Sequence, residues 1–344
     1  MNKFFVFNLL SGVLLFCSEF SFGNVQASEG MKVYTYESPQ MGVPFRIVLY
    51  TDQAASHANQ AASKAWGRIA ALNAILSNYE TESELSRLGY ASGQGVWSKV
   101  SDEMWLLLEH AQRLSVVSKG AFDITLGPAT ALWRKARREK EMPSPSALES
   151  MWERTGWDHL LMRPEDRKVC LTAPGMRLDP GGIAKGYALD EGLRVLKEQG
   201  IQHALIAGGG DMAFFGGKPG GAKWQIRLAG FGEDQEDGPM IALSDGAVAT
   251  SGDLFQFVEI DGVRYSHILN PQTGLGLTVR TLTTVIASKG IHADSLATTL
   301  SVLGPQDAPE WAAEHASECG IRMLWLDEDL GSQEWTYSSN DDLF

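Results

Sequence analysis

The sequence is short of cysteine, of positive charge and of long apolar runs, and each shortage removes a class of protein. Three cysteines occur in 344 residues. Cys17 sits in an N-terminal apolar stretch, which leaves only Cys170 and Cys319 in the remainder. Two thiols make neither a disulfide framework nor a CxxC metal site, so both read as core residues by default, with pairing in an oxidising compartment left open. Lys and Arg number 29 against 42 Asp and Glu, a formal net charge of −13. A nucleic-acid binder needs a basic surface to neutralise phosphates, and this chain has none to offer. Beyond the N-terminus no apolar run is long enough to span a bilayer. The P-loop spacing GxxxxGK[ST], the GxGxxG fingerprint, the GxSxG elbow and HExxH are all missing, as are internal repeats and low-complexity tracts.

What is present begins with "FFVFNLLSGVLLF" after Lys3. It is too short for a typical membrane span but suits the core of an export signal. Residues 1–27 read as a signal peptide, with "VQA" before the cleavage point and Ser28 as the new start. A lipoprotein lipidated at Cys17 is the alternative, and bulky Phe16 beside that cysteine argues against it. A periplasmic location follows from soluble export, and anchorage to the periplasmic face of a membrane from the alternative.

Along residues 28–344, "VYTYESPQMGVPFRIVLYT" predicts strand, turn, strand, and residues 54–76 carry apolar residues at helical spacing. "SDEMWLLLEHAQRLSVVSKG" predicts a helix with Ser101 as N-cap and Gly120 as terminator. A short helix in "PSPSALESMWERTG", a strand in "KVCLTA" and short strands in "HALIAGGGDMAFFG" and "WQIRLAG" follow. "FVEIDGVRYSHIL" predicts a hairpin turning at Asp261-Gly262. "TTVIAS" reads as a buried strand, "HADSLATTLSVLG" as a helix ending at Gly304, and "PEWAAEHASEC" as a last helix before "IRMLWL". Strands and helices mix without a βαβ rhythm, so the expected class is α+β, with mixed or antiparallel sheets and packed helices.

Five stretches carry candidate chemistry, four of them with an ordinary structural alternative. In "LDPGGIAKGYALDEGL", residues 178–193, Gly181 and Gly182 let the backbone approach a ligand at the start of a helix, and Lys185 adds a cation. The alternative is a glycine turn capped by Asp179 with Lys185 in solvent. "AGGGDM" admits a flat or charged ligand, or simply connects two strands with Asp211 satisfying turn amides. In "GAFDITLGPATALW", Phe122 beside Asp123 suits a purine or flavin ring, although an aromatic in this setting is more often core. In "HADSLATTL", Asp294 and Thr298 share a helix face and offer oxygen ligands to a hard cation such as Mg²⁺; otherwise Asp294 is a first-turn charge and Thr298 packing. His267 in "YSHILNPQTG" is a candidate proton acceptor.

Taken in order, "MGVPFRI", "LSNYETESELSRL", "GAFDITLGPA", "LDPGGIAKGYALD", "ALIAGGGDMAFFG", "ATSGD", "SHILNPQTG" and "ADSLATTL" closely resemble the bacterial ApbE family, the FAD:protein FMN transferases. The resemblance runs from about residue 35 to 304. It implies a T-fold-like, two-lobed single domain over residues 28–344. It also implies an exported, Mg²⁺-dependent enzyme that splits FAD at its pyrophosphate, joins FMN to a threonine hydroxyl of an acceptor protein and releases AMP. Acceptors in the family are exported flavoproteins such as subunits of the Rnf and Na⁺-pumping quinone reductase complexes.

Carried over onto this chain, the resemblance places Met41 and Tyr79 along the flavin nucleotide and Ala121, Phe122 and Asp123 at the adenosine half. Asp179 and Lys185 would contact FAD. The Gly182 carbonyl, Asp294 and Thr298 would hold Mg²⁺, with the Ala297 carbonyl as a further candidate. His267, or the backbone of Ile268 and Leu269, would reach the reacting region; His267 is the first choice as base and Asp294 the second. Two positions depart from the family pattern: Asn270 stands where Asp is usual, and Gly89 where Asn is frequent. "SDGAVAT" is similar to an acceptor sequence, but Val248 occupies the hydroxyl position and so argues against self-modification. Two other activities use the same residues: a Mg²⁺-dependent FAD pyrophosphatase, in which water replaces threonine, and a flavin-binding protein without turnover.

Overall fold

The computed structural model describes residues 30–232, 238–253, 256–327 and 329–339. The stretch read as a signal peptide, with Cys17, lies outside them. Eight strands form one sheet: β1 (Lys32–Gln40), β2 (Val43–Thr51), β3 (His203–Gly208), β4 (Asp211–Phe215), β5 (Gly246–Gly252), β6 (Thr281–Ala287), β7 (Gly320–Asp327) and β8 (Gly331–Tyr337). They lie side by side in chain order. Every neighbouring pair is antiparallel, so no crossover helix is needed to return the chain. This is the antiparallel form of the expected α+β class.

Five longer helices accompany the sheet: α1 (Ala55–Leu76), α2 (Asp102–Val117), α3 (Gly127–Glu139), α4 (Ala184–Glu198) and α5 (Gly290–His315). Ser101 caps α2 as expected, its hydroxyl accepting from the Met104 N–H at 3.2 Å. Helix α5 is broken at Gly304, whose φ of 72° and ψ of 177° are not helical. The break falls where the sequence predicts one helix to stop and another to begin.

Three apolar clusters hold the fold. The main one joins α1, α2, α4 and α5 to one face of the sheet, through residues such as Ile69, Leu107, Leu189 and Leu300. A second, on the opposite face, packs Leu205, Phe214 and Ile286 under a hairpin of Trp224–Arg227 and Met240–Leu243. Strand β6 is therefore buried at all seven positions, which explains why its sequence is a continuous apolar and threonine run rather than an alternation. The third cluster gathers Trp133, Met151, Val258 and Leu269, uniting α3, the helix Pro145–Trp152 and the hairpin of Phe257–Ile260 with Val263–Ser266. That hairpin turns at Asp261 and Gly262, with φ of 53° and 78°.

One close approach sets the position of everything functional. Helices α4 and α5 meet at Gly186 and Gly290, where a Cβ on Gly186 would lie 2.1 Å from the Gly290 carbonyl oxygen. Asp190 reinforces the crossing, its carboxylate accepting from the Gly290 and Ile291 N–H groups at 2.7 and 3.0 Å and so satisfying the exposed start of α5. Gly186→Ala must push two backbones apart. Such overpacking typically costs about 1–3 kcal/mol, so denaturant unfolding should show that loss of stability. Unchanged stability in that variant contradicts the tight crossing.

Candidate functional site

The glycine stretch that follows Leu178 is a built turn rather than a loose connection. The Asp179 N–H donates to the Ile124 carbonyl at 2.7 Å, which ties the turn to "GAFDITLGP". Oδ1 of Asp179 accepts from the Gly181 N–H at 3.0 Å and from Asn78 Nδ2 at 2.9 Å. The Ile183 and Ala184 N–H groups fold back onto the Pro180 carbonyl, and α4 begins there without a side-chain cap. Asp179 thus does cap the turn, as its ordinary reading holds. It also joins the turn to the segment carrying Tyr79, whose ring is 75% exposed and lies under the Arg134 guanidinium at 4.5 Å.

Lys185 is not a solvent lysine. Its Nζ lies 2.5 Å from Asp211 Oδ2 and 3.3 Å from Asp294 Oδ1. Burial opposes the charge on Lys185, but the two carboxylates outweigh it and push its pKa up. Burial pushes Asp211 up as well, with Lys185 pulling the other way. The other oxygen of Asp294 accepts from the Gly186 N–H at 2.9 Å, and the residue is only 2% exposed. Asp294 is therefore buried and oriented by the α4–α5 crossing, not a first-turn surface charge. Asp211 takes the Thr250 N–H at 3.3 Å and holds Lys185, so its role reaches across the sheet to β5 rather than into the glycine turn beside it.

Thr298 stands one turn along α5 from Asp294 and beside Gly182, where a Cβ on the glycine would lie 2.9 Å from Thr298 Oγ1. Ser251 Oγ lies 3.3 Å from the same hydroxyl. Gly209, with φ of 63°, faces Val43 and the Lys185 side chain, so the β1–β2 hairpin bearing Met41 ends at the foot of the same lysine. Met41 has a positive φ of 50° at the hairpin tip and packs on the main core. The Ala297 carbonyl, by contrast, already receives the Ser301 hydroxyl at 2.9 Å within a helix and is fully buried. A metal contact at that oxygen would have to compete with the Ser301 hydroxyl.

Around this centre lie two further groups. Asp123 Oδ1 accepts from the Thr125 N–H and hydroxyl, both at 2.7 Å, and burial pushes its pKa up. Phe122 is 4% exposed and belongs to the main core, which is the ordinary reading of this aromatic and leaves its ring no open face for a base. His267 is held by its own N–H, which donates to the Gln256 carbonyl at 2.9 Å. Its Nδ1 lies 3.2 Å from the same carbonyl, which can only accept, so this contact places the proton on Nδ1 and leaves Nε2 as the acceptor. Burial first, then the Arg137 charge, lower its pKa to about 4. The Ile268 N–H bonds the Ser266 hydroxyl at 3.0 Å, and the Leu269 side chain is buried in the third cluster.

Thus Gly182, Lys185, Asp294 and Thr298 form one locus, with Asp179 and Tyr79 joined to it through the turn and His267 on the neighbouring hairpin. Sequence reading missed Asn78, Arg134 and Ser251 and undervalued Asp211. For Asp211 a signal existed: an acid opening an otherwise apolar strand demands a buried partner. Arg134 and Asn78 gave none, since their significance lies in contacts across 45 or more positions of chain. Among the described residues no three His, Cys, Asp or Glu side chains gather as a metal cage.

This combination of fold and site defines a flavin transferase-like class, and the comparisons agree. A model of the ApbE family matches residues 41–323, and the chain belongs to that family. The FAD:protein FMN transferase of Vibrio cholerae is 32% identical over 272 residues, spanning 78% of this chain and 80% of that protein. One from Klebsiella pneumoniae is 28% identical over 343 residues, 97% of this chain and 96% of its own. The solved flavin transferase ApbE of V. cholerae superposes with a TM-score of 0.82 at 28% identity, covering 91% of this chain and 100% of that one. The flavinyl transferase ApbE of Pseudomonas stutzeri gives 0.80 at 28% identity, covering 91% and 97%.

The charge cluster has a stability consequence. Lys185→Met leaves two buried carboxylates facing each other without a cation, and breaking a buried pair in this way costs about 3–5 kcal/mol. The deficit should shrink toward pH 5, because Asp211, already pushed up by burial, takes a proton more readily once its cation is gone. Urea unfolding of both proteins at pH 7.5 and pH 5 checks this, and a pH-independent difference contradicts it.

Proposed function

We propose that the protein is a Mg²⁺-dependent FAD:protein FMN transferase that moves FMN from FAD to a threonine hydroxyl of an exported acceptor and releases AMP. The observation that carries this reading is the fixed Lys185 between Asp211 and Asp294, with Thr298 and Gly182 adjoining. The residues suit a hard cation. Asp294, Thr298 and the Gly182 carbonyl offer oxygen only, and Mg²⁺ typically takes few protein ligands and completes its shell with water and substrate phosphate. When bound, the ion neutralises charge on phosphate oxygens. The names of the relatives in V. cholerae and K. pneumoniae support the transfer chemistry.

The chain's own residues then divide the work. The turn at 179–182 brings backbone close to the diphosphate, and Lys185 places a fixed positive charge there. Tyr79 offers an exposed aromatic face to the flavin ring, and Asp123 an acceptor to the adenosine. His267 Nε2 takes the threonine proton as the threonine oxygen bonds to the FMN phosphorus. The bridging P–O bond breaks in the same displacement and its electron pair leaves with AMP. In the free protein the imidazole is neutral but weakly basic, and the approach of an anionic phosphate raises its pKa toward a useful value.

Residues 1–27 would export the chain to the periplasm, or Cys17 would anchor it there if lipidated, which fits acceptors of the Rnf or Na⁺-pumping quinone reductase type. Incubation of the mature protein with FAD, Mg²⁺ and an acceptor domain should yield an acceptor one FMN heavier together with AMP. AMP without adduct supports a pyrophosphatase instead, and neither product supports a flavin-binding protein. Asp294→Ala should lose activity and Mg²⁺ dependence, and full activity in chelator contradicts the metal assignment.

His267→Ala should bind FAD and transfer slowly, and unchanged transfer removes His267 from the mechanism. Because His267 in the free protein stays unprotonated down to about pH 4, protonation of this residue should not limit kcat/KM until well below 6.5. An acid limb centred at 6.5 that disappears in His267→Ala contradicts this.

A further inference from the structure

Helix α3 presents two sides of different character. Ala129, Trp133 and Ala136 are buried in the third cluster, while the side chains of Lys135 and Arg138 are 62% and 73% exposed beside Glu139. Between these sides lie Arg134 and Arg137, three positions apart and therefore neighbours on the helix surface, both partly buried. Trp133 fixes where they point. Its Nε1 donates to the Ser266 carbonyl at 3.0 Å, so α3 is pinned to the backbone just before His267. Arg134 then lies over the Tyr79 ring at 4.5 Å with Nη2 4.0 Å from Asp179 Oδ2, at the edge of the glycine turn.

Arg137 has no such partner. Among the described residues no ion pair or hydrogen bond is made by its guanidinium. Its guanidinium is desolvated first by burial and then repelled by Arg134, both of which depress its pKa, and its charge reaches His267. Two neighbouring guanidinium groups, one without a side-chain partner and the other held only by an aromatic face and one long carboxylate contact, are unfavourable unless an anion joins them. The neighbouring centre needs such help. Lys185 faces both Asp211 and Asp294, so that cluster carries more negative than positive charge before a diphosphate adds about two more negative charges.

We propose that Arg134 and Arg137 form a phosphate-binding subsite for the diphosphate of FAD, with Arg137 the principal contact and Arg134 oriented by Asp179 and Tyr79. This rests on the flavin transferase reading above. Guanidinium matches phosphate through paired N–H donors, and its charge is retained where an ammonium ion loses its own more easily on burial. The subsite complements Lys185, whose charge is already committed to carboxylates.

The test is FAD affinity by fluorescence titration without acceptor, for the wild type, Arg137→Gln, Arg137→Lys and Arg134→Gln. Arg137→Gln should weaken binding by about 10-fold or more, as expected for loss of a charge-assisted contact, while Arg137→Lys, which keeps the charge but not the paired donors, should fall between Arg137→Gln and the wild type. Raising NaCl should weaken wild-type binding more steeply than that of Arg137→Gln. Thermal unfolding accompanies each titration. Should Arg137→Gln fail to fold, the lysine variant and the salt dependence of the wild type still decide, and salt-insensitive binding in both overturns the subsite. Equal losses for Gln and Lys, or none, overturn it while leaving wild-type FAD binding and transfer intact. Failure of the wild type to bind FAD overturns the flavin reading itself.

Discussion

The buried carboxylate of Asp294 is the constraint on which the site depends. One oxygen receives the Gly186 N–H and the other faces Lys185, so the side chain is fixed from two directions by helix α4. That arrangement exists only because Gly186 and Gly290 let two helix backbones touch. The same crossing brings Thr298, one turn further along α5, against Gly182 at the start of α4. Small residues at a helix contact thus determine where the Asp294 and Thr298 oxygens stand, and a packing detail becomes a chemical one.

Lys185 shows how such a centre tolerates its own charge. Two buried carboxylates and one half-buried ammonium would be costly if the ammonium were missing. Together they place a cation rigidly at the foot of the glycine turn, where a mobile surface lysine would have to be ordered on each binding event. The net negative balance that remains would oppose a diphosphate unless further positive charge accompanies it. It also separates this site from nucleotide sites built on P-loops, whose spacing is absent from the sequence.

Much of the fold was legible because local signals agreed with it. Ser101 caps α2, Asp261-Gly262 turns a hairpin, and Gly304 breaks α5, each for a reason carried by the residue itself. Helix α3 and the short helix Glu84–Tyr90 were not foreseen, although Ser83 accepts the Ser86 N–H as an ordinary cap. In α3 the basic side chains of "GPATALWRKARRE" mask the stripe of Ala129, Trp133 and Ala136. Strand β8 was also missed, its "GSQEWTY" being an edge strand with no fully buried position. For the site, Asp294, Thr298 and Lys185 could be named from helical spacing and family resemblance. Their meeting with Asp211 could not, because it joins parts of the chain 26 and 83 residues away from Asp211 through tertiary packing alone.

The proposed chemistry requires a divalent cation between α5 and the glycine turn while FAD is bound. Crystals of the Asp294-intact protein grown with FAD and Mn²⁺ in place of Mg²⁺ would locate the ion by its anomalous scattering. The peak should lie within bonding distance of Asp294, Thr298 and the Gly182 carbonyl and against the diphosphate of the dinucleotide. A peak elsewhere, or a diphosphate bound away from residues 181–185, contradicts the central claim.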